Sequence, residues 1–193
     1  MAFPIKDGAG TGNLAKVDST NHLFTRSVVE SNLHNQSHLG NGFTVTSGDT
    51  VANTLTVTAT GGALLWMTNT SSVLDVVIDQ IIVSASASTM VFKVVTGSTL
   101  GSVADNVAQT PVNLHTGKTT TAPVTAHGWD EANNGIGGLT LGSTVHTQLC
   151  SVGSAPVDFE GALVLAGGGS LELRFHTAGE AAVTVIFHTE AAS

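Results

Sequence analysis

The 193-residue sequence contains no tyrosine, one cysteine and few charged side chains. Because aromatic residues make up only 5% of the chain, the core must be filled mainly by valine, leucine, isoleucine and alanine. Charged residues make up 10%, whereas about a quarter is usual in globular proteins. Threonine, serine, asparagine and glycine must therefore cover the surface. This composition is common in β-rich shells, fibres and adhesive proteins and less usual in cytosolic enzymes.

The sequence lacks the features of a disulfide framework, a secretory signal and a membrane helix. Cys150 is the only cysteine, so an intrachain disulfide is impossible and we expect folding in a reducing cytoplasm. Residues 1–6 lack the basic region and apolar run of a secretory signal. No window reaches the roughly 18 apolar residues that a membrane helix needs. We therefore expect no membrane partner.

The net charge of −8 is unevenly distributed along the chain. Residues 1–40 hold three basic and three acidic side chains, whereas the remainder holds three basic and eleven acidic ones. An acidic body has no basic stripe with which to neutralise phosphates, so direct binding to nucleic acid is disfavoured. The same charge keeps many copies soluble at high local concentration.

The densest run of β-branched residues, from Ser72 to Val95, predicts the centre of the fold. Branching at Cβ suits a pleated strand and is a mild handicap in a helix, so we predict neighbouring strands at 73–84 and 90–96. Short alternating runs separated by glycine, asparagine and serine predict about ten strands in all. The further predicted strands lie at 43–46, 55–59, 63–68, 107–114, 122–129, 144–150, 161–165, 171–175 and 182–188.

This pattern predicts an all-β protein in which residues 42–193 form a jelly-roll-like antiparallel β-sandwich. An immunoglobulin-like sandwich is less favoured, because the predicted strands exceed seven and no Cys…Trp…Cys framework is present. No long helical period is available for crossover helices, so a parallel α/β sheet is disfavoured. Residues 1–41 are predicted to form an extended N-terminal arm with a possible short helix.

The short helix is predicted from its flanking residues. Ser27 with Glu30 three residues on has the form of a capping box, and Gly40 is suited to end the helix. A turn of β-structure fits residues 27–40 as well. Residues 1–13 are glycine-rich and lack periodicity, which predicts an extended arm.

The predicted strand at 171–175 has two faces of different character. Apolar side chains at positions 171, 173 and 175 alternate with Glu172, Arg174 and His176, which predicts one apolar and one solvated face. If the last two strands pair, His176 and His188 could approach each other. Surface or strand-edge positions are the ordinary expectation for these imidazoles.

Motifs that would carry chemistry are weak. The sequence HTGKTT at 115–120 lacks the glycine five residues before Gly117 that a phosphate loop needs, since position 112 is valine, so a polar loop is favoured. The glycines of residues 8–12 follow no strand and open no convincing helix. No G-x-S-x-G elbow and no assignable acid–base pair occur. We predict no catalytic residues, no cofactor and no enzyme.

Histidine and tryptophan offer two further hypotheses. His34 and His38 would share a helix face as two zinc ligands do, but no third ligand is identifiable and no metal site is predicted. Trp129 beside Asp130 and Glu131 is compatible with a carbohydrate-contacting loop. A tryptophan in this position more often packs at the rim of a sandwich or at a subunit contact.

The N-terminal stretch PIKDGAGTGNLAKVDSTNHLFTRSVVES resembles the opening of a group of small structural proteins of tailed bacteriophages. In these proteins an arm precedes a β-sandwich. The resemblance covers residues 1–30 well and the body loosely, through ALLWMTNTSS, LDVVIDQIIV and LELRF. It is carried by Ile5, Lys6, Asp7, Gly8, Gly10, Ala15, Val17, Asp18, Asn21, Leu23, Val28 and Glu30.

The resemblance implies a virion component made in the cytoplasm of a bacterial host, and it offers no catalytic residues. We predict a capsid decoration or cement protein that binds the assembled head shell, with the major capsid protein or other virion proteins as partners and a homotrimer as the favoured oligomer. One alternative is a neck, tail or fibre-base protein, and another is a carbohydrate- or receptor-binding module that uses the Trp129 loop. The predicted contact residues are Ile5, Leu14, Val17, Leu23 and Phe24.

Overall fold

The computed structural model describes residues 16–17, 23–24, 31–47, 55–57, 62–86, 90–101, 106–129, 139–140, 142–176 and 179–192. The chain divides into two compact units, Met1–Ser31 and Asn32–Ser193. The division follows Ser31, so the helix after this residue belongs to the second unit.

In the described part of the first unit, two short strands form an antiparallel ribbon. Strand β1 is Lys16–Val17 and β2 is Leu23–Phe24. Lys16 is opposite Phe24 and Val17 is opposite Leu23. Val17, Leu23 and Phe24, three of the predicted contact residues, thus belong to this ribbon. The ribbon itself was not predicted from the sequence. Residues 1–13, including Ile5, and Leu14 lie outside the described residues.

The described part of the second unit contains one helix and the strands β3 to β16. In chain order these are α1 (Asn32–Leu39), β3 (Gly42–Thr46), β4 (Leu55–Val57), β5 (Ala63–Asn69), β6 (Leu74–Ala85), β7 (Val91–Thr96), β8 (Thr99–Leu100), β9 (Asn106–Gln109), β10 (Val112–Asn113), β11 (Val124–Trp129), β12 (Leu139–Thr140), β13 (Ser143–Leu149), β14 (Gly153–Leu165), β15 (Ser170–Phe175) and β16 (Gly179–Ala191).

These strands form two antiparallel sheets and a small ribbon. The first sheet has the order β10-β3-β16-β6-β14, with β4 also paired to β16, and the second has the order β13-β7-β15-β5-β11-β9. Strands β8 and β12 pair with each other. The sets β3-β16-β6-β14 and β5-β15-β7-β13 contain the eight strands of a jelly roll, with the last strand inserted beside the first. The predicted all-β sandwich is therefore confirmed.

The core lies between the two sheets and is mostly aliphatic. Its four largest rings form two pairs: Phe43 with Phe187 at a centroid distance of 5.6 Å, and Phe92 with Phe175 at 5.5 Å. All four are buried. Alternation along each strand turns one set of side chains inward, so aliphatic residues from both sheets fill the space around these pairs.

Helix α1 begins at Asn32 and ends in a Schellman motif. The amide of Gly40 donates to Ser37 O at 3.0 Å, and that of Asn41 donates to Gln36 O at 2.8 Å. Gly40 has φ +86°, a conformation that favours glycine at this position. The predicted end at Gly40 is confirmed, whereas the predicted cap at residues 27–30 lies outside the described residues.

Strand β14 is longer than the sequence indicated. The prediction began at residue 161 because Ser154-Ala155-Pro156 suggested a turn, but the strand begins at Gly153. It forms an edge of the first sheet, where proline is tolerated because its missing N–H is not needed on the open side. The register shifts between Asp158 and Leu163, and Glu160 has φ +50° within this bulge. Residues 154–156 pair in register with β6, so the turn predicted there is wrong, and the irregularity of the strand lies after them.

The last two strands do not pair, which corrects the possible approach of His176 and His188. Strand β15 belongs to the second sheet and β16 to the first, so the chain crosses the sandwich between them. His176 is exposed and follows β15, whereas His188 is buried on β16. This crossing is what inserts β16 between β3 and β6.

Candidate functional site

One edge of the sandwich carries exposed apolar side chains. Strands β13 and β14 end the two sheets on this side, and the rings of His146 and Phe159 connect them at a centroid distance of 5.9 Å. Leu149 of β13 is 65% exposed. Open strand edges with apolar side chains are surfaces that other chains can pair with or cover. The surface, called the β13–β14 edge below, also includes Val145, Val152 and Val164.

A second exposed apolar group lies where α1 meets β10. Leu39 at the end of the helix and Val112 on β10 are both exposed, as is Leu114 in the following loop. Asn113 Nδ2 donates to Gly40 O at 2.8 Å, which holds the loop against the end of the helix. These residues form the α1–β10 surface. Both surfaces are candidates for contact with a macromolecular partner.

A cleft with a volume of about 530 Å³ lies beside the β13–β14 edge. Trp66, Ser98 and Ser170 form part of one wall, and Leu163 and Val145 form part of another. None of its lining residues has an ionisable side chain. Its walls therefore supply no acid–base pair and no charged group for binding a substrate.

A buried histidine connects the helix to the first sheet. His188 of β16 is 0% exposed, and its Nδ1 lies 2.8 Å from Asp79 Oδ2 on β6. Its Nε2 lies 3.0 Å from Nδ2 of Asn32, the first residue of α1. Since an amide nitrogen donates, this network assigns the hydrogen to Nδ1, which donates to Asp79. The sequence-based expectation of a surface or strand-edge imidazole at His188 is wrong, since His188 is buried on a strand with neighbours on both sides.

This arrangement serves to anchor α1 and offers little for catalysis. Both ring nitrogens of His188 have hydrogen-bond partners within the chain. Glu190 Oε2 is 3.9 Å from Nε2 and 3.5 Å from Asn32 Nδ2, so a carboxylate also faces the amide. A buried imidazole with both nitrogens engaged has no position left for proton transfer to a substrate.

A buried carboxylate lies on the outer face of the second sheet. Glu172 of β15 is 0% exposed and is opposite Trp66 of β5 and Val95 of β7. Leu100 of β8 and Leu139 of β12 pack against Trp66 and help to cover this face. The predicted solvated face of β15 is therefore wrong at Glu172, because the β8–β12 ribbon covers it. The apolar residues at 171, 173 and 175 face the core as predicted.

Arg174 is the charged neighbour of Glu172. Its Nε lies 2.6 Å from Glu172 Oε1, although among the described residues neither carboxylate oxygen makes a hydrogen bond of good geometry. Burial raises the pKa of the Glu172 carboxyl, and Arg174 and the Ser98 hydroxyl lower it by less. Desolvation is thus the larger effect, and the folded chain holds this proton more tightly than an exposed carboxyl would.

Replacing Glu172 with glutamine should stabilise the protein at neutral pH. Above the ordinary carboxyl pKa of 4.5, the unfolded chain releases a proton that folded Glu172 retains. The stability of the wild type should therefore fall as the pH rises from about 4.5 to the raised folded value. The variant lacks this titration. Urea unfolding at a series of pH values should show its advantage growing through this range and then becoming constant.

The matched control is Glu160→Gln, which removes the same charge from an exposed carboxylate. We expect it not to give the gain in stability at neutral pH that Glu172→Gln gives, because an exposed carboxylate stays hydrated in the folded chain. Arg174 is 21% exposed and can remain hydrated when its partner loses its charge. Equal pH profiles for wild type and Glu172→Gln would contradict the raised pKa.

The other sequence motifs lie in separate places. The HTGKTT stretch forms the loop after β10, where Lys118 N donates to His115 O at 3.0 Å. Trp129 ends β11 opposite Asn106 of β9, and Asp130 and Glu131 lie outside the described residues. His34 and His38 lie together on α1.

No protein family, curated protein or solved structure matches this chain. Within the part of the chain that the structure describes, no helix has the length and apolar character needed to cross a bilayer. The resemblance to phage structural proteins therefore stays a prediction, and the surfaces described above are the basis for a functional proposal.

Proposed function

We propose that the chain is a structural protein of a tailed-bacteriophage virion, namely a decoration or cement protein that binds the assembled head shell. The observation that carries the proposal is the division into a short N-terminal unit and a jelly-roll unit. A small leading unit can bind neighbouring subunits while a compact body remains on the particle surface. The resemblance of residues 1–30 to phage proteins with an arm before a sandwich supports the same assignment.

The composition and surfaces of the body support this proposal. Residues 41–193 carry three basic and eleven acidic side chains, so many copies can lie close together on a particle and remain soluble. The β13–β14 edge and the α1–β10 surface expose apolar side chains that suit contacts with other virion subunits or with further copies of the chain. A trimer remains the favoured oligomer.

The proposed mechanism is stabilisation by mass action. A protein that binds the assembled shell and not its free subunits shifts the equilibrium toward the intact particle. One occupied site contributes about 2.7 kcal/mol when the free protein is at 100 times its Kd. Many sites with modest affinity can therefore strengthen a shell without any chemical step.

Deleting residues 1–24 should abolish binding to the particle. Purified chain is added to shells from phage that lack it, and the bound copies are counted by quantitative mass spectrometry. The intact chain should bind in numbers comparable to those of the shell subunit. The deletion should leave the sandwich folded, as judged by circular dichroism, because the division between the units follows Ser31.

Two further variants localise the contact. The triple variant Val17→Ser, Leu23→Ser and Phe24→Ser keeps the length of the chain and removes the apolar side chains of the ribbon, so it should also lose binding. Leu149→Lys changes the β13–β14 edge alone and should retain it. Unchanged occupancy after the deletion refutes the role of the N-terminal unit. Only a few bound copies per particle would instead favour a neck, tail or fibre-base position.

A further inference from the structure

His34 and His38 direct their ring nitrogens toward each other on the surface of α1. The two Nε2 atoms are hydrogen-bonded at 3.1 Å, so one of them carries the shared hydrogen, and the ring planes are inclined at 79°. Zn–N bonds of about 2.0–2.1 Å place two ligand nitrogens about 2.9 Å apart at a right angle and about 3.3 Å apart at a tetrahedral angle. The observed separation lies between these values, so an ion that replaced the shared hydrogen would need little movement of the two rings.

The pair lines a surface depression of about 290 Å³. Leu114, His115 and Thr116 from the loop after β10 form another wall of it. The imidazole of His115 is oriented by its own loop, since its Nδ1 accepts from the amide of Gly117 at 3.3 Å. The depression is large enough for an ion and several of its water molecules, each of which occupies about 30 Å³ in the liquid.

Both ends of the short helix are fixed, which pre-organises the pair. At the start, Asn32 is bonded to buried His188. At the end, the Schellman motif closes at Gly40, and the stem of Lys118 packs so closely that a Cβ added at Gly40 would lie 2.7 Å from its Cγ. A chelating pair on a held helix loses little conformational entropy on binding a metal.

We propose that His34 and His38 chelate one divalent transition-metal ion of the zinc class, with water in the remaining positions. Imidazole nitrogen suits Zn²⁺, Cu²⁺ and Ni²⁺ better than Mg²⁺ or Ca²⁺. No group of three or more histidine, cysteine, aspartate or glutamate side chains among the described residues is placed to hold a metal. Among the described residues the site therefore has two protein ligands, and His115 is a wall residue. This inference does not rest on the proposed virion function.

Calorimetric titration of Zn²⁺ into the full chain, purified without a histidine tag, tests the site. We expect one ion per chain and a thermal midpoint that rises with zinc concentration. His34→Ala and His38→Ala should each weaken binding by more than the roughly 10–100-fold that loss of a second-shell partner costs. Helix α1 has no buried residues, and alanine favours a helix, so neither variant should unfold the protein.

His176→Ala is the control, since His176 is an exposed imidazole after β15. It should bind zinc as the wild type does, and His115→Ala should keep the stoichiometry of one. Affinity should fall on acidification, because a metal binds the neutral imidazole. Absence of zinc binding by the wild type, or its retention in the His34→Ala, His38→Ala double variant, overturns the proposal. Complete loss in His115→Ala overturns the two-ligand assignment.

Discussion

Replacing Phe187 with alanine should lower the free energy of unfolding by about 3–5 kcal/mol. The Phe187 ring is 0% exposed and stacks on Phe43 at a centroid distance of 5.6 Å. It lies on β16, which is hydrogen-bonded to β3 on one side and to β6 on the other. Paired strands on both sides hinder collapse of the space that the ring would leave, so the cavity term should be large. Urea unfolding monitored by circular dichroism measures the loss.

The matched control for Phe187 is a large-to-small change outside the core. Leu149→Ala also shortens an apolar side chain on a strand, but this residue is 65% exposed. We expect its effect to stay within about 0.5 kcal/mol. Since a domain of this kind is stable by about 5–15 kcal/mol, the Phe187 variant should lose a large share of its stability. Equal losses in the two variants would contradict the assignment of Phe187 to the core.

The strands were the part of the fold that local sequence could predict. Val76, Val77, Ile78 and Ile81 suit a pleated strand, and the predicted range 73–84 corresponds closely to β6 at Leu74–Ala85. The alternation at 171, 173 and 175 likewise identified the apolar face of β15. These predictions succeeded because side-chain branching and period-two alternation act within a single strand.

The partners of each strand could not be predicted in the same way. Alternation shows which side chains share a face, but it does not show which sheet a strand joins. The stretch from Leu171 to His188 therefore left open whether its two strands pair, whereas in the structure the chain crosses from one sheet to the other. Pro156 suggested a turn for a similar reason, since its tolerance depends on β14 being an edge strand. Both facts are set by residues distant in sequence.

The candidate sites depended even more on distant residues. Glu172 carries no local signal of burial, because Leu100 and Leu139, which help to cover its face of the sheet, come from a ribbon far away in the sequence. The spacing of His34 and His38 was visible in the sequence, but the placement of His115 beside them requires the fold. For a histidine or glutamate within an alternating strand, the local sequence therefore does not predict whether the side chain is buried or which residues lie beside it.

Replacing His188 with alanine should release the first turn of α1 and lower the free energy of unfolding. The change removes the hydrogen-bond partner of Asp79, which lies 2.8 Å away, and that of Asn32, which lies 3.0 Å away. Loss of one partner of a buried polar group costs about 1–3 kcal/mol, and the empty space adds to this cost. Hydrogen exchange should speed up more in the amides of α1 than in those of β15, because the helix loses its hydrogen bond to His188, whereas among the described residues no such bond joins β15 to this residue.

A double-mutant cycle of His188→Ala and Asp79→Ala separates this pairing from simple loss of packing. If the imidazole and the carboxylate act together, the double variant should lose less stability than the sum of the two single variants, with a coupling of about 0.5–3 kcal/mol. The exposed imidazole of His176 provides the control, since His176→Ala should change neither stability nor helix exchange. Strict additivity, with unchanged exchange in α1, would mean that His188 fills space without holding the helix.

The zinc affinity of the His188→Ala variant measures whether the helix has loosened. A loosened helix should present His34 and His38 less often at their chelating separation and should therefore bind the ion more weakly.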